Sequence, residues 1–170
     1  MSLDDSMPHD CRVGCASRRE FFSYISGAAL AAMVGAELSA ADAMYPVTDI
    51  TGEAIASSQK SYPLPAGDGV KIDNSGGVIL VRYQGKVIAF NLACPHENTA
   101  LRWKQGSGKF ECSKHNSRYT PEGTFIDGRA TRNMDRLPIT RDGNNVVVDL
   151  SRMIKSDEKP AEWAAAVLAV

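Results

Sequence analysis

From Val78 onward the apolar positions come in short runs rather than at helical spacing. Val78-Ile79-Leu80-Val81-Arg82-Tyr83 is β-branched and apolar, Gln84-Gly85 supplies a tight turn, and Lys86-Val87-Ile88-Ala89-Phe90 follows. Two such runs around a Gly-containing two-residue loop predict a hairpin. Residues 108–112 predict another short strand. Leu137 to Arg141 and Val146 to Leu150, joined by Asp142-Gly143-Asn144-Asn145, predict a second hairpin with a four-residue turn. Several short strands with turn residues between them predict an all-β domain, a small antiparallel sandwich or barrel over residues 62–150. Residues 44–61 are small and polar (Pro46, Gly52, Ser57, Ser58) and read as a linker or hinge. Residues 151–170 read as a tail. It carries Pro160 and then an apolar, helix-like stretch from Glu162 to Leu168, with Trp163 expected to pack on the domain.

The start of the chain has a different pattern. A polar stretch with Arg12, Arg18 and Arg19 is followed by an apolar run from Phe21 to Ala36, and Ala41-Asp42-Ala43 fits a small-x-small cleavage site. Ser17-Arg18-Arg19-Glu20-Phe21-Phe22 resembles the twin-arginine export signal of bacteria. That resemblance implies an N-terminal helix within residues 1–43 and a body delivered, already folded, to the periplasmic side of the inner membrane. The segment is either removed or retained as a membrane anchor. A spanning helix needs about 20 apolar residues, and Glu37 breaks the run short of that. Positive-inside logic keeps the arginines in the cytoplasm in both cases.

The chain has 170 residues, room for one domain plus an anchor or tail, and a formal net charge of −1. No basic stripe points to nucleic acid. The four cysteines form two unlike pairs. Cys11 and Cys15 have a C-x-x-x-C spacing with no following histidine, which is not a haem attachment site. Cys94 and Cys112 lie in the body, each followed closely by a histidine. A disulfide framework leaves those histidines unexplained.

Cys94-Pro95-His96 and Cys112-Ser113-Lys114-His115 form C-x-H and C-x-x-H. Two thiolates and two neutral imidazoles are a complete ligand set for one zinc ion. They also suit a binuclear iron–sulfur centre, in which each of two facing loops gives one ligand to each iron. Each pair mixes Cys with His, whereas zinc fingers more often keep like residues together.

The surroundings extend the second pattern. Cys94 to Tyr119, then Pro121-Glu122-Gly123, then Gly128-Arg129-Ala130-Thr131-Arg132-Asn133-Met134 ahead of Leu137-Pro138, resemble the Rieske iron–sulfur family. The likeness is greatest to the exported proteins of cytochrome bc-type quinol oxidases and to the small subunit of arsenite oxidase. The resemblance implies one [2Fe–2S] cluster, with Cys94 and Cys112 on the buried iron and His96 and His115 on the outer, redox-active iron. Neutral imidazoles in place of thiolates make the cluster less negative and easier to reduce. Rieske potentials span about −150 to +300 mV, against about −400 mV for plant-type ferredoxins. It further implies that Ser117 donates to a bridging sulfide and Tyr119 to a ligand cysteine, both favouring the reduced state.

The departures are Thr99 and Lys114 where quinol-oxidase members carry a disulfide, Glu97-Asn98 after His96, and little proline near Gly128-Arg129-Ala130. A looser tip and a carboxylate beside the ligands imply a positive but submaximal potential. The implied role is an electron-transfer subunit, not catalytic alone, taking electrons from quinol and passing them to a cytochrome c within a membrane or periplasmic redox complex. The alternative is the relay subunit of a periplasmic molybdenum oxidase.

Overall fold

The computed structural model describes residues 45–170. The twin-arginine segment, the apolar run after it, Ala41-Asp42-Ala43, Cys11 and Cys15 lie outside the described residues. Among the described residues no helix is long and apolar enough to cross a membrane.

The strands are β1 Val47–Asp49, β2 Glu53–Ala56, β3 Gln59–Pro63, β4 Gly69–Asp73, β5 Val78–Tyr83, β6 Lys86–Asn91, β7 Leu101–Lys104, β8 Lys109–Cys112, β9 Arg118–Tyr119, β10 Phe125–Asp127, β11 Ile139–Asp142, β12 Asn145–Asp149 and β13 Leu168–Ala169. Among the described residues one short α-helix, α1, spans Pro160–Ala165. They form three sheets, ordered β1-β4-β5-β6-β13, β10-β9-β8-β7 and β11-β12-β3-β2.

The predicted β5–β6 hairpin is present, in register from Val78↔Asn91 to Tyr83↔Lys86. Gln84 and Gly85 both have positive φ, 49° and 73°, the twist that a two-residue hairpin loop requires. This hairpin lies between the two cores of the described domain. Val78, Leu80, Val87 and Ala89 point to one core, with Tyr62, Leu137, Val146 and Val148. Ile79, Val81, Ile88 and Phe90 point to the other, with Leu101, Trp103, Phe110 and Tyr119. A sheet buried on both faces reads as an unbroken apolar run rather than an alternation, and this is why Val78 to Val81 carries no polar residue.

Three expectations need correction. Residues 45–61 are not a linker from Val47 onward, since β1, β2 and the start of β3 lie there. Their small polar side chains are tolerated because β1 and β2 are edge strands with exposed faces, and β1 pairs with β4 in parallel. The sandwich is therefore not wholly antiparallel. The second hairpin turns on two residues, Gly143 and Asn144, because Asp142 pairs with Asn145.

The tail packs on the domain as expected. β13 pairs with β6, and the Trp163 indole N–H donates to the Met134 carbonyl at 2.8 Å. The buried Arg136 lies 3.7 Å from the Trp163 ring and donates to the carbonyls of Trp163 at 2.7 Å and Glu122 at 3.0 Å. The buried Asp73 carboxylate, at the end of β4, accepts from Gly52, Lys60, Tyr62, Ser75 and Gly76, which ties β3 and the residue before β2 to β4.

Candidate metal centre

Two loops carry the candidate ligands, one after β6 of the five-stranded sheet and one after β8 of the sheet β10-β9-β8-β7, and they are built alike. In the first, the Cys94 N–H donates to the Thr99 carbonyl at 2.8 Å and the Asn98 N–H returns to the Cys94 carbonyl at 2.9 Å. In the second, the Cys112 N–H donates to the Ser117 carbonyl and the Asn116 N–H to the Cys112 carbonyl, both at 2.9 Å. Asn98 and Asn116 have φ of 56° and 54°, a conformation that asparagine tolerates better than most residues. The repeated Cys-x-x-x-Asn spacing is a signal that the strand and ligand patterns alone do not pick out. It turns each chain back on itself, so that the histidine between Cys and Asn faces the other loop.

The four candidate ligands come together as two pairs. Cys94 and Cys112 are both buried, and each sulfur acts on the other's pKa. His96 and His115 meet at the rim with Nδ1 atoms 3.1 Å apart and rings edge to face. Two imidazole nitrogens on one tetrahedral ion, with bonds of about 2.0–2.1 Å, stand about 3.3 Å apart. The histidine pair fits one metal in this way. The cysteines do not share it: among the described residues, the ligand atoms of His96, Glu97 and His115 lie within 4.8 Å of one another, with no cysteine sulfur in the set. A single tetrahedral zinc keeps all its ligand atoms within about 3.8 Å of each other. The separated pairs therefore fit a two-metal centre.

Donors surround the sulfurs. Burial pushes the Cys94 thiol up, against the Tyr119 hydroxyl and the His96 N–H. Burial acts on Cys112 too, but the N–H groups of His115 and Lys114, together with the Cys94 thiol and the Thr99 hydroxyl, outweigh it and hold that thiol below its ordinary value. The Tyr119 hydroxyl lies 3.4 Å from the Cys94 sulfur, with both residues buried. Burial raises that phenol, and the Cys94 sulfur raises it further, so it keeps its proton. Ser117 is fully buried, and its Oγ accepts from the Arg129 N–H at 3.1 Å and the Ala130 N–H at 3.0 Å. Those two bonds leave its own O–H free to donate. They also define a third loop over the site, despite its lack of proline. Gly128 makes this loop fit, with φ of 107° and a position where a Cβ would stand 2.4 Å from the Ser117 Cα.

A family model for the Rieske [2Fe–2S] domain matches residues 55–141, half of the chain. The chain belongs to the Rieske family. It accordingly carries one [2Fe–2S] cluster, and the paired thiols and imidazoles are a donor set of the right kind and number. Over 56 residues this Rieske protein is 36% identical to the cytochrome b6-f complex iron-sulfur subunit of Synechococcus sp. (strain JA-3-3Ab), an alignment covering 33% of each chain. It thus spans about a third of the length of that relative. Against the corresponding subunit of Gloeobacter violaceus it is 28% identical over 152 residues, 78% of this chain and 82% of that one. The crystal structure of the cyanobacterial plasma membrane Rieske protein of Synechocystis PCC 6803 superposes with a TM-score of 0.40 at 28% identity, covering 49% of this chain and 86% of that one.

The Rieske site also has a charged rim. The Glu97 carboxylate accepts from Lys114 Nζ at 2.8 Å, and Lys114 holds it below the ordinary carboxylate range. Its oxygens lie 4.0 Å from His96 Nε2 and 3.7 Å from His115 Nε2. Cys94 and Cys112 form no disulfide with each other, and Thr99 and Lys114 stand in the two loops.

Proposed function

We propose that Cys94 and Cys112 hold one iron and His96 and His115 the other, and that the chain is the electron-transfer subunit of a cytochrome bc-type complex. The observation that carries this reading is the division of the four ligands into a buried sulfur pair and a rim imidazole pair. When bound, the cluster supplies a one-electron acceptor. The protein's own residues do the rest. With Nδ1 turned inward, His96 and His115 leave Nε2 as the outer nitrogen, with side chains 26% and 14% exposed. A proton can be held there where a partner can reach it. Ser117 and Tyr119 direct hydroxyl donors inward, which favours added negative charge. Glu97 opposes them, and the balance gives a positive but submaximal potential.

The proposed donor is quinol and the proposed acceptor a cytochrome c, as the resemblance to the exported Rieske proteins of cytochrome bc-type quinol oxidases implies. The proposed site of action is the periplasmic side of the membrane, reached by twin-arginine export. Metal and acid-labile sulfide analysis with EPR of the reduced protein tests the centre. One zinc and no sulfide overturns it. Purification of the native complex tests the role: co-purification with a b-type cytochrome supports it, and a molybdopterin subunit in its place refutes it.

A further inference from the structure

The two ligand loops are each tied to themselves by backbone bonds, within residues 94–99 and 112–117. At their outer rim they meet through the edge-to-face imidazoles, the Glu97–Lys114 pair and the approach of the Glu97 carboxylate to His115. The pair is exposed, with side chains 44% and 60% accessible, and an isolated pair of that kind contributes little to folding. Its placement is what distinguishes it. Glu97 Oε1 is the oxygen nearer His96 Nε2, while Oε2 faces both His115 Nε2 and Lys114 Nζ. One carboxylate thus spans the outer nitrogens of both imidazoles, and a residue of the opposite loop fixes it there. No disulfide among the described residues does this work.

We propose that Glu97 and Lys114 form an ionic clasp across the two ligand loops, with the Glu97 carboxylate stationed over both histidines as the charge that lowers the centre's potential. Lys114 is a positioning residue in this arrangement. The clasp rests on the ligand assignment given above. Two consequences separate it from an ordinary surface contact. Retention of the cluster depends on ionic strength, because an exposed pair is screened by salt. The potential depends on the sign of the charge at position 97 and not on the presence of a pair.

The test uses the full chain loaded with its cluster, read by protein-film voltammetry at pH 7 and by the rate at which the visible circular dichroism bleaches. Glu97→Gln raises the potential, by roughly three- to tenfold in the reduction equilibrium constant at low salt, where each tenfold is 59 mV. Both Glu97→Gln and Lys114→Met bleach faster than wild type, and their bleaching no longer responds to salt between about 0.02 and 1 M. Lys114→Arg restores slow bleaching. The double exchange Glu97→Lys with Lys114→Glu keeps the pair and reverses the charge over the imidazoles. It bleaches like wild type, yet its potential lies above that of Glu97→Gln. An unshifted potential in Glu97→Gln, or a wild-type potential in the double exchange, overturns the proposal, as does salt-independent bleaching of the wild type. A wild type without the reduced-state EPR signal overturns the ligand assignment instead.

Discussion

Replacing Tyr119 by Phe removes a single hydroxyl from the inner side of the centre. The ring is fully buried and packs edge-on against Phe125 with centroids 5.8 Å apart, so phenylalanine keeps the packing. What is lost is the donor 3.4 Å from the Cys94 sulfur. A hydrogen bond to a charged acceptor is worth about 1.5–3 kcal/mol. The reduced centre, carrying one more negative charge, draws more from it than the oxidised one. If the difference is about half the bond, the loss is about 0.8–1.5 kcal/mol, or about 30–65 mV for one electron. The potential of Tyr119→Phe is therefore expected to fall by that amount in protein-film voltammetry, with visible circular dichroism confirming an intact cluster. Burial and the adjacent sulfur both raise the phenol's pKa, so the shift is expected to be equal across about pH 6 to 9, where an ordinary phenol also stays protonated. A potential that is unchanged or raised in a fully loaded variant refutes the assignment of Tyr119 as a donor to the ligand.

Three further outcomes are expected. Gly128→Ala places a Cβ 2.4 Å from the Ser117 Cα at a φ of 107°; strain of about 1–3 kcal/mol displaces the third loop, seen as lower stability to denaturant and faster cluster loss. Trp163→Ala uncovers Arg136, whose guanidinium is stacked at 3.7 Å; a loss of about 2–3 kcal/mol is expected by urea unfolding, with the potential unchanged because the contact is remote from the ligands. Asp73→Asn weakens the carboxylate network. Burial alone raises the Asp73 pKa, but the bonds from Ser75, Gly76, Lys60 and Gly52 outweigh it and hold the carboxyl well below the usual range. A lowered folded pKa adds stability above the unfolded value, about 3.9, and loses it as pH falls further. The variant is expected to be less stable at pH 7, and the gap to wild type to narrow below about pH 3.9; a gap that is constant with pH refutes the network's charged character.

The central hairpin and the Cys/His pair of each loop were legible in the sequence by itself, because each rests on local spacing, whereas Ser117 and Tyr119 were singled out by the family resemblance. A Cys and a His within two or three positions have to share a loop, and two apolar runs around Gln84-Gly85 have to turn back on each other. The edge strands β1 and β2 were not legible, since their polar residues become strand only when β4 and β3 offer backbone partners. The family resemblance implies a sulfur pair and an imidazole pair, but the burial of the one and the rim position of the other come from how the loops face each other in three dimensions. So does the meeting of Glu97 with Lys114, which belong to different loops and carry no mark of each other in the chain. Local spacing determined what chemistry the chain can hold; the packing of the two loops against each other decided which side chains pair and which charge stands beside them.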